Sequence, residues 1–147
     1  MPKGLEVKQK ATIKASPAKV FKALTDPKEL TKWFLRRSKV DLRPGGKMLF
    51  VWRNFPPYWG TVKTVKKDKE FAFLWPHKAE GGLRKTLVSF KISKRGKKTR
   101  LDLHHTGFGW GRKWILHYGG TQQGWAYYLR NLKSVLETGY DLREDDE

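Results

Sequence analysis

The residues able to do chemistry in this chain are few, and most of its conspicuous side chains are aromatic. His104 and His105 stand side by side in the segment TRLDLHHT. Neighbours on a strand point to opposite faces, so the two imidazoles cannot grip one metal ion together. No carboxylate or further histidine falls at ligand spacing, and the chain has no cysteine, so neither a metal site nor any other cofactor is expected. His105 shares a face with Leu101 and Leu103 and is read as pointing inward. It is either a histidine hydrogen-bonded to a core neighbour or the polar anchor of a cavity. Asp41, Asp102 and Glu137 fall on polar faces, and there is no Gly-x-Ser-x-Gly elbow, no Walker loop and no pair of inward carboxylates. Only His105 is placed for acid–base work, and the reading leans away from an enzyme.

The aromatic residues carry more information as a set. Phe50, Trp52, Trp59, Phe73, Trp75, Phe90 and Trp125 are expected on one concave face, with Leu103, His105 and Leu129 completing it. A sheet curled around one helix encloses more volume than the helix fills, so these side chains define either a packed core or a pocket. Aromatic walls with few polar groups suit a flat or apolar small molecule. The segment from Gly107 to Gly120 is rich in glycine and aromatics and fits neither a clean strand nor a clean helix. Phe108, Trp110, Trp114 and Tyr118 are read there either as a gate over the cavity mouth or as a packed connector.

The elements that must position these residues follow from periodicity. Val7, Ala11, Ile13 and Ala15 alternate with Lys8, Lys10 and Lys14 as a half-buried strand. Ser16 with Pro17 opens a helix whose face is Val20, Phe21 and Leu24, and Asp26 with Glu29 opens a second, in a capping-box pattern, with Leu30, Trp33 and Phe34. From Val40 the period switches to two, through a Pro-Gly-Gly turn, and about six strands follow. The last element is expected as a helix from about Thr121 to Thr138. Its stripe is Trp125, Tyr128, Leu129, Leu132 and Leu136, and Gly139 closes it. The fold class is α+β: a curved antiparallel sheet wrapped around a long C-terminal helix, with two short helices after the first strand. Residues 1–140 read as one domain, and 141–147 as a flexible acidic tail.

The formal charge is +18, from 32 Lys and Arg against 14 Asp and Glu. Five of those acids lie between Asp141 and Glu147, so the preceding body is more basic still. Such a body attracts anions, including nucleic acid and anionic surfaces. The basic residues form clusters at Arg36, Arg37 and Lys39; at Lys63, Lys66, Lys67 and Lys69; at Lys94, Arg95, Lys97, Lys98 and Arg100; and at Arg112 and Lys113. Spread over several loops, without a recognition motif, they point to generic, salt-sensitive binding rather than sequence readout. No apolar run reaches the length needed to span a bilayer, the first residues lack the apolar core of a secretory signal, and a cysteine-free chain suits a reducing interior. A cytoplasmic location is expected.

The order of these signatures resembles the family of activators of heat-shock protein 90 ATPase. That family belongs to the START-related SRPBCC superfamily, which has the helix-grip fold of the birch pollen allergen. The stretches that carry the resemblance are SPAKVFKALTDPKELTKWF, VDLRPGGKMLF, the Gly60–Val65 strand, FLW, LHHTGF and GWAYYLRNLKSVLETG, together running from about Val7 to Gly139. The resemblance implies the helix-grip fold with an internal cavity. It also implies a choice of roles, since such families include ligand carriers and a co-chaperone domain. The leading expectation is a protein that binds a small hydrophobic or aromatic ligand. The alternatives are a module acting on a protein client or heat-shock chaperone, and a non-specific polyanion binder.

Overall fold

The computed structural model describes residues 5–53, 56–79 and 82–146. The chain runs β1 (Val7–Ile13), α1 (Pro17–Thr25), α2 (Pro27–Trp33), β2 (Arg37–Val40), β3 (Lys47–Val51), β4 (Tyr58–Lys66), β5 (Glu70–Ala79), β6 (Gly82–Arg95), β7 (Lys98–Thr106) and α3 (Arg112–Thr138), then a single 3₁₀ turn at Leu142–Asp145. All seven strands form one antiparallel sheet in the order β1-β7-β6-β5-β4-β3-β2. α3 packs against β1 and β5 and lies across the curved sheet, while α1 and α2 carry the chain from one sheet edge to the other. This is the helix-grip arrangement the residue order predicts.

Local chemistry explains where the elements begin. The Ser16 hydroxyl accepts from the Lys19 N–H at 3.2 Å, and Pro17 sits in the first turn of α1. The Asp26 carboxylate caps α2 by accepting from the Lys28 N–H at 2.8 Å. The reciprocal half of the expected capping box is not made: Glu29 pairs with Lys32 at 2.6 Å, and the Asp26 N–H goes to the Lys22 carbonyl. Gly139 ends α3 with φ +81°, a conformation a side chain would strain.

α3 begins at Arg112, nine residues before the expected start at Thr121. Gly119 and Gly120 weaken this half of the helix on propensity alone, each by about 1 kcal/mol against alanine. Tertiary contacts outweigh that loss. Trp114 meets Phe108 edge-on at 6.0 Å, and the Tyr118 hydroxyl donates to the Glu6 carbonyl at 2.9 Å. Trp114 and Tyr118 continue the Trp125 stripe backwards at helical spacing.

The expectation of a loose tail from Asp141 is also corrected. Fully buried Asn131 donates to the Trp33 carbonyl and the Asp141 carboxylate, both at 2.9 Å, and accepts from the Leu142 N–H at 2.7 Å. Arg143 pairs with Asp141 and reaches the Thr31 carbonyl at 2.7 Å and the Leu35 carbonyl at 3.2 Å. The acidic segment is thereby clipped to α2 and α3 as far as the described residues extend.

Candidate functional site

An open cavity of about 1020 Å³ lies between the β3–β5 side of the sheet and the middle of α3. Its inner wall is Phe34, Trp52, Tyr58, Trp75, His105, Trp125 and Tyr128. Arg36, Arg53, Pro56, Pro57, Trp59, Leu116, His117, Arg143 and Asp146 also border it, and most of them stand towards solvent. The wall is built by strand alternation from β3, β4 and β5. Phe50 faces Tyr58 across the β3–β4 ladder with rings 5.6 Å apart, and Trp75 stacks on Phe50 at 5.1 Å and on Trp52 at 5.3 Å. Phe34 and Phe90 meet Trp125 from the other side, at 5.4 and 5.7 Å. Offset and edge-on ring pairs of this kind add about 0.5–1.5 kcal/mol each beyond burial, which holds the wall rigid. Gly60 is required behind it: a Cβ there would stand 2.7 Å from the Leu74 carbonyl and 2.8 Å from the Phe50 ring.

His105 is completely buried and engaged at both ring nitrogens. The Trp125 indole N–H donates to Nδ1 at 3.0 Å, and Nε2 lies 2.7 Å from the Thr86 hydroxyl. An indole N–H can only donate, so Nδ1 is the acceptor, the proton is on Nε2, and the ring is neutral. The imidazole borders the cavity with both nitrogens already used, tying α3 to β6 and β7. Its role here is the hydrogen-bonded core histidine, not the free polar anchor.

The remaining polar groups are sparse. The Trp52 indole N–H is buried without a completed hydrogen bond, although it stands near enough to the Tyr128 hydroxyl to favour its ionised form. Burial raises the Tyr128 phenol, and Arg143 and Trp52 offset only part of that. Tyr58 is pushed up further by burial, with the Trp75 N–H as its hydrogen-bond donor. Burial together with the Asp146 carboxylate, which accepts from its hydroxyl at 2.7 Å, pushes Tyr127 up to about 12. Burial lowers His117. These groups are neutral near pH 7, so among the described residues the cavity offers acceptors and donors but no poised acid–base pair. Asp41, Asp102 and Glu137 are ion-paired elsewhere, with Arg43, Arg100 and Lys133. Among the described residues no three His, Cys, Asp or Glu side chains gather to hold a metal ion, and no helix is long and apolar enough to cross a membrane.

The structure sorts the aromatic set into two layers. Trp52, Trp75, His105 and Trp125 border the cavity, whereas Phe50, Phe73, Phe90, Leu103 and Leu129 sit behind it in the core. Trp59 pairs with Leu49 and is 51% exposed, so it reaches only the mouth, and Tyr58 takes the inward place expected of Trp59. Phe34, Tyr58 and Tyr128 are the wall residues missed, and Tyr128 was visible in the α3 stripe. The gate expectation is corrected as well. Phe108 is buried against His105 at 4.7 Å, Trp114 packs on Phe108, and Trp110 is exposed. The residues of that segment that border the cavity are Leu116, His117 and Gly120, on the first turns of α3. Two of the basic clusters come together: β5 pairs with β6, and the Ile92 N–H donates to the Lys69 carbonyl at 2.8 Å. The turn with Lys66, Lys67 and Lys69 therefore lies beside the turn with Lys94, Arg95, Lys97 and Lys98, at the end of the sheet away from His105.

The family model for activator of Hsp90 ATPase homolog 1-like proteins matches residues 14–137, most of the chain. The chain belongs to that family. No functionally curated protein matches the sequence. Among solved structures, a protein from Mesorhizobium loti is similar with a TM-score of 0.80 at 20% identity, over 90% of this chain and 96% of its own. The Aha1 dimer from Colwellia psychrerythraea gives 0.79 at 22% identity, over 92% and 98%. CalU16 from Micromonospora echinospora gives 0.69 at 19% identity, over 93% and 87%. At these identities the likeness carries the fold alone.

Proposed function

We propose that the protein is a non-enzymatic binder of a small hydrophobic or aromatic molecule, held in the cavity between α3 and the sheet. The observation that carries this reading is the cavity itself. Its volume of about 1020 Å³ remains open although the stacked rings of Trp52 and Trp75, and Trp125 edge-on to Trp75, border it. Small-molecule pockets typically measure about 300–1,000 Å³, with apolar walls and a few polar groups. The Trp52 N–H is one such group, available to an acceptor atom of the ligand. Native mass spectrometry and thermal shift against a panel of lipids and aromatic metabolites test the reading. A one-to-one adduct with a raised melting temperature is expected, and silence across a broad panel contradicts it.

Two further readings each have one observation in their favour. Trp110, Ile115 and Leu116 are 46%, 52% and 66% exposed on the arm leading to the mouth, which fits a protein client or a heat-shock chaperone. Co-purification with the host's heat-shock chaperone, followed by an ATPase assay, tests that role, and Leu116→Glu should weaken any such contact. The paired basic turns fit weak, salt-sensitive binding of a polyanion. Absence of a gel shift at physiological salt discards it.

A further inference from the structure

We propose that the ligand is a neutral aromatic ketone, its ring body on the Trp52–Trp75–Trp125 wall and its carbonyl oxygen accepting from the Tyr58 and Tyr128 hydroxyls. The inference rests on the ligand-binding reading above and specifies the chemical class of that ligand.

The placement of the two phenols carries it. Tyr58 lies on β4 and Tyr128 on α3, so they border the cavity from its two walls. Packing holds both rings: Tyr58 lies 5.6 Å from Phe50 and 5.5 Å from Trp52, and Tyr128 meets Phe34 edge-on at 5.0 Å. They are near enough that a charge on Tyr128 disfavours one on Tyr58. Each phenol oxygen has an indole N–H beside it, from Trp75 at Tyr58 and from Trp52 at Tyr128. An indole N–H only donates, so neither tyrosine can direct its own hydrogen at that neighbour. Among the described residues neither hydroxyl meets an acceptor. The N–H at Tyr58 also polarises its hydroxyl and makes it a better donor.

Two acceptors that border the cavity are already in use. His105 has both ring nitrogens engaged, and the Asp146 carboxylate accepts from Tyr127 at 2.7 Å. The pair of phenols therefore calls for a ligand that accepts. A carbonyl oxygen has two lone pairs, one for each hydroxyl. A hydrocarbon of the same shape would take both hydroxyls out of water unpaired, and a site built on hydrogen bonds rejects such an analogue. A phenol or amine head would bring a further hydrogen towards two donors. A carboxylate would give up its hydration among the rings of the wall. Conjugation keeps an aryl ketone flat, which matches the stacked faces of Trp52 and Trp75.

The test is a matched pair of probes, 2-acetonaphthone and 2-isopropenylnaphthalene, in which a C=CH2 group replaces the carbonyl. Binding to the wild type and to the Tyr58→Phe/Tyr128→Phe variant is followed by NMR on the tryptophan indole N–H resonances. The ketone is expected to lose about tenfold in affinity in the double variant, the scale of one to two neutral hydrogen bonds. The alkene should bind that variant as well as the wild type, or more tightly. Each single variant should show part of the ketone's loss, which keeps the test intact if the double variant does not fold. The infrared carbonyl stretch of the bound ketone should lie below its frequency in a hydrocarbon solvent and return towards it in the variants. An undiminished ketone affinity, or a carbonyl stretch at the hydrocarbon frequency in the wild type, overturns the ketone inference while leaving the hydrophobic-cavity reading intact. An equal loss for both probes also overturns it, because the phenols would then act through packing alone. If neither probe moves the Trp52, Trp75 or Trp125 signals, both readings fail.

Discussion

His105 shows how one residue ties the site to the fold. It accepts from the Trp125 indole on α3 and donates to the Thr86 hydroxyl on β6, with all three side chains buried. His105→Leu leaves a buried indole N–H and a buried hydroxyl without partners, at about 1–3 kcal/mol each. The expected loss is about 2–6 kcal/mol, read from the urea midpoint. His105→Gln, which keeps one donor and one acceptor, should recover part of it. Asp141 offers a titration at the same scale. Its burial opposes ionisation, but hydrogen bonds from Arg143 and Asn131 outweigh that and hold it below the ordinary 3.8. A depressed carboxylate stabilises the folded state fully above its unfolded pKa, and that contribution is lost as pH falls through the lower folded value. The Asn131 side-chain amide and Leu142 backbone amide signals should therefore move together only below about pH 3.8, and Asp141→Asn should abolish that transition. A transition near neutrality would assign the clip to another group.

At the scale of elements, α3 is the informative case. Its C-terminal half was legible because Trp125, Leu129 and Leu132 repeat at helical spacing without interruption. The first half carries the same repeat through Trp114 and Tyr118, but two consecutive glycines obscure it, and the contacts that outweigh them come from Phe108 and Glu6, distant in sequence. Gly119 has open space where a Cβ would stand and an ordinary φ. Gly119→Ala should therefore stabilise the protein by about 0.5–1 kcal/mol, measured by chemical denaturation. A loss of stability would mean that this turn is not helical in solution. The strands were legible through alternation, down to His105 facing inward. A one-residue difference in where β4 begins exchanged Tyr58 for Trp59, because the side-chain period is two. The His105–Trp125 bond and the Asn131 clip were not legible, since each joins elements whose meeting is set by the sheet's curvature and not by local pattern.

The whole molecule combines a rigid aromatic wall, a rim of arginines and a strongly positive body. The charge of +18 raises the encounter rate with any anion, but it acts over the entire surface and is screened by salt. The cavity acts locally and depends on shape. These two contributions separate in one experiment, because an uncharged probe sees only the second. The central claim is that the space between α3 and the sheet is open and takes an apolar molecule. Its most direct test is NMR on the indole N–H signals of the seven tryptophans during titration with neutral 2-naphthaleneethanol. Saturable shifts at Trp52, Trp75 and Trp125, with Trp110 unmoved, are the expected result. Uniform small shifts at all the indoles, or none, would mean that the interior is closed and would contradict the account.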